Sequence, residues 1–162
     1  MDIQLSGYMP GAIGRIVELH ARYYHAHWGF GLFFESKVAT ELSEFLGRFK
    51  EGRDGFWVAD RKGEIAGAVA IDAIHEGTEG AHLRWFVVAP EDQGKGIGER
   101  LLGQAVVFCR ERKYPRIFLW TFDGLHAARH LYEKFGFTLC EQQEGTRWGK
   151  IVTEQRFELI LR

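Results

Sequence analysis

The segment Leu83-Arg-Trp-Phe-Val-Val-Ala-Pro-Glu-Asp-Gln-Gly-Lys-Gly-Ile-Gly-Glu-Arg-Leu-Leu102 constrains this chain more than any other. Trp85, Phe86, Val87 and Val88 make an apolar run of buried-strand length, and Pro90 ends it because proline cannot continue a hydrogen-bonded ladder. Gln93-Gly-Lys-Gly-Ile-Gly98 follows, after which Leu101, Leu102, Ala105 and Val106 recur at helical spacing. A strand, a glycine loop and a helix in this order aim backbone N–H groups and the positive end of the helix dipole at one point. That arrangement suits a phosphorylated ligand. Two familiar spacings fail here. A Walker A loop needs Ser or Thr after its lysine, and Gly96 follows Lys95; a dinucleotide fingerprint starting at Gly94 needs glycine where Glu99 stands. A turn that only joins strand to helix would carry the same glycines, so the loop alone leaves that alternative open.

The remaining pattern alternates strands and helices. Ile3 and Leu5 alternate with polar residues in a short first strand, and Ile13, Ile16, Val17, His20 and Tyr24 mark a helix from Ala12 to about Gly29. Val38, Leu42, Phe45, Leu46 and Phe49 carry a second helix, closed by Gly52 and Asp54-Gly55. Phe56–Asp60 and Ile65–Ile74 read as a hairpin about Arg61-Lys-Gly-Glu64, with Gly67 marking a bulge or a close backbone approach. After the glycine loop the helix runs to about Arg112, followed by a strand over Arg116–Thr121 and a helix over His126–Lys134. Closing strands are expected over Phe137–Gln142 and Arg156–Leu161. The expected order is β-α-α-β-β-β-α-β-α-β-β. This is an α/β (α+β) chain with a central, mixed and mostly antiparallel sheet of about seven strands and helices on both faces. Residues 1–162 form one domain, with no linker or repeat.

Composition narrows the class of protein. With 46% hydrophobic and 14% aromatic residues the chain can build a packed core, and a formal net charge of −1 gives no reason to expect a nucleic-acid partner. No apolar stretch reaches the ~20 residues of a membrane span. The start Met1-Asp-Ile-Gln-Leu lacks the charged and apolar regions of a secretory signal. Cys109 and Cys140 fit no metal or redox spacing and are expected as reduced, partly buried thiols. A cytoplasmic location is expected. His20, His25 and His27, or His126 and His130, lack a matching ligand set, so no metal is expected.

Two motifs together carry a resemblance. Gln93-Gly-Lys-Gly-Ile-Gly98 after its strand and Pro90 resembles the acyl-CoA loop of the GNAT superfamily of N-acetyltransferases. Ala128-x-x-Leu-Tyr-Glu-Lys-Phe-Gly-Phe137, behind Leu119-Trp-Thr-Phe-Asp, is similar to that superfamily's A-x-x-L-Y-x-K-x-G-F signature. Within the superfamily the chain is most similar to the acetyltransferase half of MarR-GNAT type proteins, on Gly11-x-Ile-Gly-x-Ile-Val-Glu-x-His20, Leu119-Trp-Thr121 and Ala-Ala-Arg129. These 162 residues contain no MarR-type region, so a DNA-related role is not implied. One departure stands at Leu125, where many members carry a coenzyme-contacting asparagine.

The resemblance implies the GNAT fold and direct transfer of an acetyl group from acetyl-CoA, as co-substrate, to the amine of a small molecule or amino-acid-like metabolite. A module that binds acyl-CoA without turnover, or a protein or peptide N-acetyltransferase, is the alternative. It also implies a monomer or homodimer. The pyrophosphate would lie on the loop amides of Gly94, Lys95, Gly96, Ile97 and Gly98, flanked by Gln93 and Glu99, and the pantetheine on the main chain of Phe86, Val87 and Val88, with Ala128 adjoining. Splaying of strands near Val88 would admit the thioester. Tyr132 is the expected acid that protonates the departing thiolate, since a phenol and a thiol have similar pKa values. His82 is the candidate base, its ordinary pKa suiting proton transfer, and Glu76 or Glu79 could act through water. The helix junction with Trp28, Phe30 and Phe33 is the expected acceptor wall, with Glu35 beside it.

Overall fold

The computed structural model describes residues 2–161. Its elements follow the expected order: β1 Gln4–Ser6, α1 Ala12–Trp28, α2 Leu32–Gly47, β2 Gly55–Arg61, β3 Glu64–Asp72, β4 Ala81–Val88, α3 Ile97–Glu111, β5 Arg116–Phe122, α4 His126–Lys134, β6 Thr138–Gly145 and β7 Val152–Ile160. Two boundaries move. α2 ends at Gly47, before the closure expected at Gly52, and the last two strands pair as far as Gly145 opposite Val152, so most of the expected connection is itself sheet.

The seven strands lie in the order β1-β2-β3-β4-β5-β7-β6. Among the described residues only the β4–β5 pair is parallel, as the helical crossover through α3 requires. Apolar faces divide the core into two layers. Ile97, Leu101, Leu102, Ala105 and Tyr132 of α3 and α4 pack on one face of the sheet with Ile71, Leu83, Ile117 and Leu119. Ile16, Val17, Phe34, Val38, Leu42 and Phe45 of α1 and α2 cover the other, against Val58, Ala68, Ala70 and Phe122.

Two irregularities shape the centre. Ala59 pairs with Gly67 but Asp60 pairs with Ile65, which leaves Ala66 as an extra residue in β3. Gly67 also lies so near β4 that an added Cβ would stand 2.7 Å from the Val87 carbonyl oxygen. Both sequence readings of Gly67 therefore apply. In β4, Ala68 pairs with Val87 and Ala70 with Arg84, so Trp85 and Phe86 together oppose Val69. Trp85 takes φ +51° at this bulge. The extra residue breaks the alternation: the Arg84 guanidinium lies 4.2 Å over the ring of its own neighbour, Trp85, while Phe86 packs on the α3–α4 layer.

Candidate active site

β4 and β5 pair only at Ala81 with Ile117 and at His82 with Phe118. Beyond this rung the strands diverge, and β4 from Leu83 to Val88 has no strand partner on its β5 side. Trp85, Phe86, Val87 and Val88 are half-buried although they lie in mid-sheet. The opening predicted near Val88 thus starts five residues earlier, because the bulge turns β4 away. A cavity of about 270 Å³ occupies the divergence, bounded by Phe86, Leu119, Leu125, Ala128 and Tyr132 on the α4 side and by Tyr24, Phe34, Lys37, Val38 and Glu41 on the other.

Tyr132 sits on the one face of α4 that meets the sheet, and only 6% of it is exposed. Its ring is fixed among Phe86, Phe137 and Phe157, with centroids at 6.0, 5.9 and 6.1 Å. The hydroxyl makes no hydrogen bond among the described residues. No fully buried side-chain oxygen or nitrogen there lacks a partner, so this hydroxyl is open to the cavity. Burial holds its pKa well above the ordinary phenol range, with the Tyr24 hydroxyl adding to the shift. Tyr24, which burial shifts in the same direction, lines the cavity from α1.

At the other end of β4 the chain makes a 3-10 turn over Pro90–Asp92 and enters the glycine loop. Gly94 and Gly96 have φ of +79° and +84°, and an added Cβ at either would meet nothing within 4 Å. Left-handed backbone without crowding is the reason for glycine here. α3 has Gly96 as its N-cap with no side-chain cap, and its first internal backbone bond is donated by Arg100. The amides of Gly94, Lys95, Gly96, Ile97, Gly98 and Glu99 donate to no protein acceptor among the described residues. Such a row of free donors at a helix start fits a pyrophosphate. At Gly98 a Cβ would come 3.1 Å from Leu131 and 3.3 Å from Phe86, so glycine lets α3 approach β4 and α4.

The side chains around the loop are largely committed to the protein. Lys95 pairs with Asp92 at 3.4 Å, while Asp92 is itself buried against Arg61. Glu99 pairs with Lys134 at 2.5 Å, tying α3 to α4. The Gln93 amide donates to the Val88 carbonyl at 3.4 Å. What the loop offers a ligand is therefore mainly its backbone N–H groups.

His82 lies where the strands part, its ring stacked on Phe118. It lines the cavity and has no hydrogen-bond partner among the described residues. Burial, and then the cation of Arg84, push its pKa down to about 3, which differs from the ordinary value expected from sequence. Such a ring stays neutral at pH 7 and is a weak proton acceptor. Next to it runs a chain of ion pairs: Lys37 to Glu41 at 2.7 Å, Glu41 to Arg84 at 2.6 Å, Arg84 to Asp72 at 3.3 Å and Asp72 to Arg48 at 2.8 Å.

The aromatic junction lies outside this cavity. Phe30 is 2% exposed and packs on Tyr24, Phe34 and Phe122, and Trp28 meets Phe122 edge-on at 5.2 Å. Phe33 is 60% exposed and packs beneath Gly149 in the β6–β7 connection. Trp28 and Phe30 support the wall from behind, since α1 turns Tyr24 and α2 turns Phe34, Lys37, Val38 and Glu41 inward. Glu35, Glu76 and Glu79 do not line the cavity. Ala128 and Leu125 do, and Leu125 is the N-cap position of α4 without a side-chain cap. Sequence reasoning missed Arg84, Trp120, Arg147 and Trp148 as lining residues. Arg84 is aimed by the bulge and Arg147 by the β6–β7 connection, and neither leaves a periodic signal. Cys109 is buried and Cys140 exposed, so the two thiols do not share the half-buried state expected of them.

A model of the acetyltransferase (GNAT) family matches residues 14–137. An uncharacterized N-acetyltransferase of Methanocaldococcus jannaschii is 28% identical over 134 residues, covering 80% of this chain and 58% of that protein. The N-acetylaspartate synthetase of Danio rerio is 29% identical over 125 residues, covering 76% of this chain and 44% of that protein. The chain thus spans about half the length of these curated relatives. Among solved structures, yncA of Salmonella typhimurium, described with its cofactor acetyl-CoA, superposes with a TM-score of 0.76 at 17% identity, covering 99% of this chain and 94% of that one. At that identity the likeness shows the fold.

Proposed function

Because the chain belongs to the acetyltransferase (GNAT) family, we propose that it moves the acetyl group of acetyl-CoA directly to the amine of a small, amino-acid-like acceptor. The observation that carries this reading is the Tyr132 hydroxyl, unbonded and open to the gap beyond the His82–Phe118 rung. In that gap the unpaired edge of β4 at Phe86, Val87 and Val88 holds the pantetheine arm as an added strand would. The amides from Gly94 to Glu99, with the start of α3, hold the pyrophosphate. Ala128 and Leu125 bound the thioester end.

The acceptor enters from the α1–α2 side, where Tyr24, Phe34, Lys37 and Glu41 form the wall. Its nitrogen attacks the acetyl carbonyl carbon, the carbon–sulfur bond breaks, and Tyr132 gives its proton to the sulfur. The nitrogen then releases a proton, and Tyr132 is reprotonated. Burial keeps the phenol protonated at working pH, and the same desolvation makes the departing thiolate more basic, which offsets the weaker acid. His82, being neutral, accepts a hydrogen bond from the amine and guides it; the free base itself comes from the unprotonated fraction in solution. A cavity of about 270 Å³ favours an acceptor of amino-acid size over an extended chain, being at the small end of ligand pockets. Within the family the Gly11-x-Ile-Gly-x-Ile-Val-Glu-x-His20 segment supports a likeness to the MarR-GNAT type.

Release of CoA thiol across a panel of amines, amino acids and peptides tests the reading. Turnover of amino-acid-sized amines above peptides is expected. Binding of acetyl-CoA with no turnover of any acceptor would instead favour a coenzyme-sensing module.

A further inference from the structure

Three cationic side chains, Lys37, Arg84 and Arg147, line the cavity. Two of them have their charged ends paired with carboxylates of the protein. Lys37 is held by Glu41 at 2.7 Å, and Arg84 spans Glu41 and Asp72 at 2.6 and 3.3 Å while lying over Trp85. Arg147 is different. Its guanidinium carbon lies 4.1 Å over the Trp120 ring, and Nε stands 3.4 Å from Glu154 Oε1, so the group is anchored on two sides. Its Nη atoms make no hydrogen bond among the described residues, although they could donate four.

The surroundings hold this free end in place. Glu154 is only 3% exposed and accepts the backbone N–H of Arg147 at 2.8 Å. The connection bearing Arg147 rests on the α1–α2 junction, with Gly149 against Phe33, and Trp148 packs on Phe122 at 5.5 Å. A guanidinium fork held over an aromatic ring, with its Nη ends unused in a residue that lines the cavity, can pair with a carboxylate through two parallel hydrogen bonds. The acceptor's amine must point at the thioester between β4 and β5, and a group of amino-acid size then reaches the wall with its other end.

We propose that Arg147 binds a carboxylate of the acceptor, so the preferred substrates are amines that carry a carboxylate rather than neutral amines or polyamines. This rests on the transferase reading only in placing the acceptor in this cavity. A phosphate would satisfy the same fork, but it is tetrahedral and bulkier, and the small cavity favours the carboxylate.

The test measures binding, which needs no turnover. Glycine, alanine, aspartate and glutamate, their α-amides, and phosphoethanolamine are titrated calorimetrically into the protein saturated with CoA. The parent should bind at least one amino acid more tightly than its amide. Arg147→Gln should weaken that amino acid by roughly 10–100-fold, as expected for lost charged hydrogen bonds, and leave the amide within about threefold. Arg147→Lys, which keeps the charge for Glu154 but not the fork, should recover part of the loss and confirm that the fold tolerates the site. Equal binding of acids and amides to the parent would overturn the proposal. So would equal weakening of both in Arg147→Gln, or tighter binding of phosphoethanolamine than of every amino acid. If the acids bind as described but thiol release is absent for all of them, the transferase reading fails while the carboxylate site stands.

Discussion

His82 and Phe118 form the last rung between β4 and β5, and their rings stack with centroids 4.4 Å apart and 18° between the planes. The pair closes one end of the gap in which the chemistry is placed. It also buries the imidazole, and that burial decides what His82 can do.

With a pKa pushed down to about 3, His82 is neutral in the folded protein, and His20, buried with Nδ1 2.8 Å from the Ile16 carbonyl, is pushed to about 4. Unfolded, both would titrate at ~6.5. The unfolded chain therefore binds more protons below that value, and stability falls as pH drops from about 6.5 towards 4. Chemical denaturation at pH 7.5, 6, 5 and 4 should show this loss, and it should shrink in a His20→Gln, His82→Gln double variant relative to its own value at pH 7.5. An undiminished pH dependence in the variant would place the titrating groups elsewhere.

The same shift predicts the rate profile. The parent kcat/KM should rise with deprotonation of the acceptor amine and show no inflection near pH 6.5. His82→Gln should lower the rate by a modest factor without changing the shape of the curve. An inflection between pH 6 and 7 that vanishes in the variant would restore His82 as a general base.

Tyr132→Phe removes the hydroxyl proposed to protonate the departing thiolate and leaves the ring packing against Phe86, Phe137 and Phe157 intact. Its kcat should fall by roughly 10²-fold or more, the usual scale for a lost acid catalyst, with the KM for acetyl-CoA nearly unchanged. Single-turnover measurements, where chemistry limits the rate, are the check. An unchanged rate constant there would remove Tyr132 from the mechanism.

Gly96→Ala should act through the backbone alone, because a Cβ at this position meets nothing while φ is +84°. Forcing a side chain into the left-handed region costs about 1–2 kcal/mol, roughly a tenfold loss if the loop relaxes instead of straining. The KM for acetyl-CoA should rise by about that factor, with the KM for the acceptor unaffected.

Gly67→Ala is a different test, since its Cβ would strike a backbone oxygen at 2.7 Å. The β3–β4 pairing beside the bulge would have to shift, and a loss of about 1–3 kcal/mol in unfolding free energy is expected. A thermal unfolding midpoint equal to that of the parent would mean that the two strands separate there without cost.

The arrangement of elements was largely legible from local patterns, because each element carries its own period and its own punctuation. The apolar run to Val88, Pro90 and the glycines through Gly98 determined a strand, a left-handed turn and an uncapped helix start. Gly94 and Gly96 adopt positive φ because nothing else in the loop could do so cheaply. Tyr132 was legible as a motif residue on the buried face of α4. What tertiary structure decided is everything that depends on contacts between distant segments. The bulge at Trp85 is a mismatch between two strands, and it turns Arg84 into the cavity and starts the gap at Leu83. The neutrality of His82 comes from Phe118 and Arg84, and the free fork of Arg147 from Trp120 and Glu154. Trp28, Phe30 and Phe33 looked like a pocket wall because aromatics cluster there, yet helix rotation presents Tyr24 and Phe34 instead. Backbone conformation answers to neighbours in sequence, whereas charge state and side-chain direction answer to neighbours in space.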